Sequence, residues 1–224
     1  PAQQRLAFEE LVAHQLSLLQ RRQLQRQLPA PVCRDSTNLS TAFLTQLPFQ
    51  LTDGQTQVLT EIHQDLLRPV PMLRLVQGDV GSGKTVVAAL AAGPALAAGY
   101  QGAIMAPTEI LAEQHRQRFQ SWFEPLGIRV GWLAGKLTGK ARQRQLDSIA
   151  NGECQLLTGT HALFQDSVQF ARLGLVVIDE QHRFGVEQRL ALTRKGQSSG
   201  MAPHQLIMTA TPIPRTLAMS AYGD

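Results

Sequence analysis

Aromatic side chains are scarce in this sequence. They make up 5% of its 224 residues, too few for the stacking platforms on which single-stranded nucleic acid is held without regard to sequence. Long apolar runs are missing too. No stretch reaches 18 consecutive apolar residues, so a membrane-spanning helix is not expected. The start, Pro1–Arg5, is polar with no apolar core behind it and does not read as a signal peptide. Only two cysteines occur, Cys33 and Cys154, far apart and at no metal-ligand or redox spacing. That usage is expected of a reduced, cytosolic protein. No methionine precedes Met72. Either an initiator was removed before Pro1 or the chain is cut from something longer, and the stop at Asp224, soon after a proline-rich motif, favours the second.

What is present is enough apolar material for a full core, 43% of residues, and a net charge of +4. The charge suits a polyanionic partner, but many domains without one are as basic. Residues 1–28 read as a helix, because Phe8, Val12, Leu16 and Leu19 recur at helical spacing opposite a Gln- and Arg-rich side. Its plainest role is docking on a neighbouring domain. Pro29 and Pro31 end it, and residues 29–48 read as a linker or short irregular stretch.

From Leu51 the pattern changes. Short apolar runs, Leu73–Gln77, Ala103–Ala106, Ile128–Leu133, Gln155–Thr158, Leu173–Ile178 and Gln205–Thr209, alternate with helical patterns at Thr85–Ala98, Ile110–Phe123 and Lys140–Asn151. Strands separated by helices predict an α/β fold with a parallel sheet covered on both faces. Ligands of such folds sit at the carboxyl ends of the strands. The residues with chemistry to offer here all follow a strand run.

Gly78-Asp79-Val80-Gly81-Ser82-Gly83-Lys84-Thr85 fits the phosphate-loop pattern, between an apolar run and an Ala-rich helix. The glycines let backbone N–H groups close around phosphate oxygens, and the helix beginning near Thr85 adds its positive end. Lys84 supplies a charge for the β- and γ-phosphates, and the Thr85 hydroxyl a ligand for Mg²⁺. A glycine turn with no ligand is the plainer alternative, disfavoured by having strand, loop, Lys-Thr and helix in one place. The run Leu173–Ile178 ends in Asp179-Glu180. Asp179 is expected to hold the Mg²⁺ shell and Glu180 to orient and deprotonate an attacking water. The ligands expected are therefore ATP and Mg²⁺.

His182 follows three residues after Asp179 and gains weight as a catalytic candidate only from that neighbourhood. Thr209 and Thr211, in Met208-Thr209-Ala210-Thr211-Pro212, have hydroxyls that could reach back toward His182 and the acidic pair; a Thr-rich turn before proline is an equally good reading. Pro107-Thr108-Glu109 and Gly159-Thr160-His161 are candidates for contact with a nucleic-acid backbone, and Thr108 and Thr160 would serve equally as helix caps.

In order, Gly78–Thr85, Ala106–Glu109, Gly159–His161, Asp179–His182 and Thr209–Thr211 resemble motifs I, Ia, Ib, II and III of superfamily 2 helicases. The longer strings Gln77–Thr85, Met105–Glu109, Gly131–Gly135, Asp179–Gly185 and Thr209–Thr216 are similar to the bacterial RecG family of branch-migration helicases. Gln181 and Glu109 set the chain apart from the transcription-repair coupling translocases. The resemblance implies a RecA-like motor domain over 49–224, a helical connector over 1–48, and Phe49 and Gln55 near the adenine, Phe49 by packing and Gln55 by hydrogen bonding. Read from the residues alone, Phe49 fits a core and Gln55 an ordinary helix. The resemblance further implies ATP hydrolysis coupled to remodelling of stalled forks and Holliday junctions in the bacterial cytoplasm. The family's junction-splitting wedge and second RecA-like domain, with its arginine finger, are not expected within these residues, and the chain alone is expected to bind nucleotide weakly and turn it over little. A transcription-coupled repair translocase and a nucleotide-regulated DNA-binding module are the rival readings.

Overall fold

A computed structural model describes residues 5, 12, 16, 28–135, 138–180 and 200–211. Within the expected first helix, Arg5, Val12 and Leu16 are described, and all three are helical. All six apolar runs are strands: β1 (Leu73–Gln77), β2 (Gln101–Met105), β3 (Val130–Leu133), β4 (Leu156–Gly159), β5 (Leu173–Asp179) and β6 (His204–Thr209). They form one sheet in the order β1-β6-β5-β2-β4-β3, every neighbouring pair parallel. The register is tight at the carboxyl ends. Gln77 pairs with Thr209, Asp179 with Met208, Met105 with both Ile178 and Gly159, and Leu133 with Gly159. The strand ends carrying the candidate residues therefore lie along one edge of the sheet.

The period-2 alternation of a strand divides the core between two faces. Leu175 and Val177 of β5 join a cluster with Ile104, Leu206 and Met208, while Val176 and Ile178 join the other with Met105, Leu157 and Ile207. The first face is covered by α1 (Leu39–Gln46), α2 (Asp53–Leu66), α3 (Lys84–Ala97) and α4 (Glu109–Phe123). On the second lie Ile149, near the end of α5 (Gly139–Ala150), and Leu163 of a short 3₁₀ turn. Helix α3 is Ala-rich and buried continuously from Val86 to Leu96, as a helix enclosed on nearly all sides must be. Helix α4 buries the stripe Ala112, His115, Phe119 and Phe123, spaced three and four residues apart. Phe119 and Phe123 are fully buried, each worth about 1.5–3 kcal/mol of burial.

Residues 29–48 are not the irregular stretch expected from sequence. They hold α1, whose Leu39 and Phe43 enter the core. The residue before the helix, Asn38, gives no side-chain cap. Instead both carboxylate oxygens of Asp35 accept from the first turn, from Leu39 N and Ser40 N at 2.8 Å each. Because this cap comes from several residues upstream, it escapes a search for the usual start signal. The segment before α1 is sewn to the amino end of the sheet domain by Ala30 N to Pro69 O (3.1 Å), Cys33 N to Leu66 O (2.9 Å) and Ala202 N to Pro29 O (2.8 Å).

Candidate nucleotide-binding site

The phosphate loop runs from the end of β1 into α3. Gly83, the residue before the helix, is left-handed at φ 82° and has no side chain to cap it, so the helix start faces outward uncovered. At this φ any side chain would be strained, and a Cβ would also displace the Gln55 amide, so glycine is the residue that suits the position. Lys84 Nζ is folded onto the loop, donating to Gly78 O at 2.5 Å and Asp79 O at 2.8 Å. Val80 at the tip is 91% exposed. Thr85 opens α3 beside Lys84 and is partly buried.

Gln55 touches the loop directly. Its Nε2 donates to Ser82 O at 2.9 Å, and its Oε1 accepts from Thr52 N at 3.0 Å. The second bond closes a capping box with Thr52, whose hydroxyl accepts from Gln55 N at 3.3 Å. The Thr52-x-x-Gln55 spacing is a helix-start signal that sequence reading passed over. Gln55 thus has both ends of its amide committed within the chain, and an adenine would have to exchange at least one of these bonds. Phe49, the other residue linked to adenine by resemblance, is 49% exposed.

Between the loop and the acidic pair lies the end of β6. Gly78 N donates to Thr209 O at 3.2 Å, so the loop is anchored on β6. On its other side, Glu180 N donates to Met208 O at 2.9 Å, and the Glu180 carboxylate accepts from Ala210 N at 3.2 Å. Glu180 is left-handed at φ 53°, a backbone state that costs a non-glycine residue about 1–3 kcal/mol and collects at functional sites. The β6 end reaches the acidic pair through the Ala210 backbone. Thr209 Oγ1 accepts from Thr211 N at 3.1 Å. His182, the proposed third member of this group, lies outside the described residues.

Asp179, the last residue of β5, shares by alternation the face of Val177, which is the face α4 covers. There His115 of α4, only 7% exposed, brings Nε2 to within 2.8 Å of Asp179 Oδ2. Sequence reading missed His115. The signal was a polar residue at the buried position of an otherwise apolar stripe. Among the described residues no group of three His, Cys, Asp or Glu side chains could hold a metal ion. A cation at Asp179 and Thr85 would need further oxygens from its ligand, as Mg²⁺ bound with a phosphate has.

The remaining candidates stand on the strands beyond β5. Thr108 caps α4, accepting from Leu111 N at 3.3 Å, and its hydroxyl proton is still available as a donor. Pro107 is partly buried beside it, and the Glu109 carboxylate lies over Gly135. Arg116, two turns along α4, stacks over Trp132 at 5.7 Å from the ring centroid. Gly159 ends β4, where a Cβ would collide with the Leu133 carbonyl, so strand packing alone accounts for glycine. Thr160 is buried and gives no side-chain cap, in contrast to Thr108, while His161 is exposed. Cys33 and Cys154 are both buried away from this edge. Burial pushes their thiols up to about 12 and about 11, so neither is a nucleophile here.

Comparison with known proteins gives a consistent result. Residues 52–220 match the DEAD/DEAH box helicase family. The chain is 62% identical, along its whole length, to the ATP-dependent DNA helicase RecG of Pasteurella multocida, and spans 32% of that protein. A solved structure of RecG bound to a three-way DNA junction is 41% identical, with a TM-score of 0.83 over 98% of this chain and 29% of that one. The helicase MrfA bound to DNA is 18% identical with a TM-score of 0.65, covering 88% of this chain and 30% of its own, a likeness of fold alone. The chain spans about a third of the length of the curated relatives it matches.

Proposed function

The chain belongs to the DEAD/DEAH box helicase family, and from that membership we propose that it is the ATP-binding lobe of a motor that couples ATP hydrolysis to movement on branched DNA. Its fold is the RecA-like helicase type. The observation that carries the proposal is the bridge made by the end of β6. Thr209 holds the start of the phosphate loop, and Ala210 holds the Glu180 carboxylate, on opposite sides of one strand end. A site that must bind a polyphosphate and aim a base at it needs both groups on a common support.

In this reading Lys84 leaves the Gly78 and Asp79 carbonyls for the β- and γ-phosphates, and the backbone N–H groups at the start of α3 take up phosphate oxygens. The loop fits an anion, because its one cation is held only by two loop carbonyls, of Gly78 and Asp79, and its helix start carries no side-chain cap. Thr85 and Asp179 would hold Mg²⁺. When bound, the ion neutralises charge on the phosphates. Glu180 orients the attacking water and accepts its proton, its carboxylate directed by Ala210 N–H. Gln55 exchanges its bond to Ser82 O for the adenine edge, with Phe49 packing on the ring. His182 is read from the sequence as a further polar relay for this group.

Pro107, Thr108, Glu109, Gly159, Thr160 and His161 are proposed to meet the DNA backbone. They follow β2 and β4, on the same sheet edge as the nucleotide residues but beyond Asp179. Thr209 and Thr211 are proposed to carry the state of one site to the other. Residues 1–48 are read as the connector to a preceding domain and 49–224 as the motor lobe, with 29–48 fixed on the lobe by the bonds described above. A RecG solved on a three-way DNA junction supports branched DNA as the substrate class, with forks and Holliday junctions proposed as the substrates to test and the bacterial cytoplasm as the place; no described helix is long and apolar enough to cross a membrane. The deciding experiment measures ATP turnover by the longer protein containing this chain, with forked, linear duplex or no DNA. Strong stimulation by the fork is expected. Stimulation that appears only with RNA polymerase would transfer the chain to the transcription-coupled translocases, and no turnover under any condition would leave a binding module.

A further inference from the structure

We propose that His115 is a positioning residue for the metal-holding carboxylate, fixing Asp179 in the orientation that Mg²⁺ requires. The inference rests on the reading of Asp179 as a Mg²⁺ ligand. Helix α4 turns four residues toward the sheet, Ala112, His115, Phe119 and Phe123, and three of them are apolar. An apolar residue at 115 would complete that stripe. A histidine is placed there instead, and its Nε2 lies 2.8 Å from Asp179 Oδ2 with both side chains largely shielded, at 9% and 14% exposure. An ionised carboxylate only accepts, so Nε2 carries the proton and donates it to the bond. Phe119 packs against the imidazole edge-on, with ring centroids 6.1 Å apart, and restricts its rotation.

The bond occupies Oδ2 and leaves Oδ1 as the oxygen that can turn to a cation. It also sets the carboxylate plane from outside the strand. Asp179 is the last residue of β5, and its successor Glu180 has already left extended geometry. The strand therefore fixes the Asp179 backbone while giving little hold on its χ angles. The hold comes from α4, a 15-residue helix capped by Thr108 and anchored by two buried phenylalanines. Donors behind a metal-binding group that set its orientation typically contribute 10- to 100-fold in metal affinity. None of the motifs singled out in the sequence includes position 115.

The test uses the whole 224-residue chain and the fluorescent nucleotide mant-AMP-PNP, titrated with magnesium chloride. Gln at 115 can place its Nε2 close to where the imidazole Nε2 stands, whereas Asn is too short to reach. In H115N and H115L the Mg²⁺ concentration that half-saturates nucleotide binding should rise about 10-fold or more. In H115Q it should stay within about 3-fold of wild type, and nucleotide binding without Mg²⁺ should be unchanged in all three. Thermal melting of H115N and H115Q, both polar and of similar size, controls for packing. Equal Mg²⁺ shifts in H115Q and H115N, or none in H115N and H115L, would overturn the proposal. D179N separates this from the premise. A normal Mg²⁺ midpoint in D179N removes Asp179 from the metal site and the inference with it, whereas a shifted D179N beside a normal H115N sinks the inference alone.

Discussion

His115 and His204 are both buried, both hydrogen-bonded, and stand at opposite ends of the same sheet. At the amino end, His204 accepts from Met72 N at 3.1 Å through Nδ1 and donates to Pro31 O at 2.7 Å through Nε2. It joins β1, β6 and the segment before α1 through main-chain groups that nothing competes for. Burial pushes its protonation below the ordinary imidazole range, which keeps the neutral form that this donor-acceptor pair needs. At the carboxyl end the polar groups are satisfied by partners that a ligand can replace. Lys84 rests on two loop carbonyls and Gln55 on a third, while His115 holds the Asp179 carboxylate in place behind them. One end of the sheet is a seam and the other is a set of exchangeable bonds. A domain that must hold its neighbours while its ligand changes needs both.

The largest effect should follow from breaking the exchangeable end at its one phosphate-directed charge. Lys84→Ala should abolish ATP turnover in the longer protein. Nucleotide binding should weaken by about 1.5–3 kcal/mol, the worth of a charge-assisted contact, as read by calorimetric titration. Melting should change little, because the bonds lost are to two carbonyls of the loop itself, the Asp79 one exposed. Near-normal turnover would remove Lys84 from the site. Next in size, Glu180→Gln keeps the shape that Ala210 holds but cannot take a proton. Single-turnover rates should fall about 10²- to 10⁴-fold with nucleotide affinity kept, and loss of affinity instead would make Glu180 structural.

Breaking the seam should give the reverse pattern. His204→Leu leaves the Met72 N–H and the Pro31 carbonyl without their partner and should cost about 2–4 kcal/mol in urea unfolding. Nucleotide affinity per folded molecule should not change. A loss of affinity equal to that of the loop variants would erase the distinction between the ends. The smallest effect is one of pH. Because the folded state holds His204 below its ordinary value, the unfolded chain binds the proton first as pH falls. Stability from this residue is complete above about pH 6.5 and declines as pH drops below it. Urea midpoints of wild type and His204→Leu between pH 7.5 and 5.5 should converge toward the acid end, whereas parallel curves would show that His204 does not titrate with folding.

Much of the fold was legible because its signals are local. Apolar runs bounded by glycine or polar residues gave all six strands to within a residue or two, and the Ala-rich and periodic stretches gave α3, α4 and α5. Helix α1 was not legible, since its two capping bonds come from Asp35, outside the usual cap position. The loop and the acidic pair could be found from sequence because each is a contiguous string. What joins them could not. The bonds from Gly78 to Thr209 and from Ala210 to Glu180 depend on β6 inserting between β1 and β5, a strand order that no string encodes. Thr209 Oγ1 accepts from Thr211 N and keeps its own proton, and His182, the far end of the expected hydroxyl route, lies outside the described residues. His115 was hidden most thoroughly. Its meaning depends on α4 and β5 sharing a face, and in sequence it is one histidine in a helix.

The contrast between the two ends is tested most directly by amide hydrogen exchange on the 224-residue chain with and without Mg²⁺ and AMP-PNP. The account predicts slower exchange in residues 78–86 and 179–180 when nucleotide is added, and no change at 29–33 and 202–205, which are already sealed. Protection that arises at the seam, or a phosphate loop whose exchange ignores the nucleotide, would contradict it.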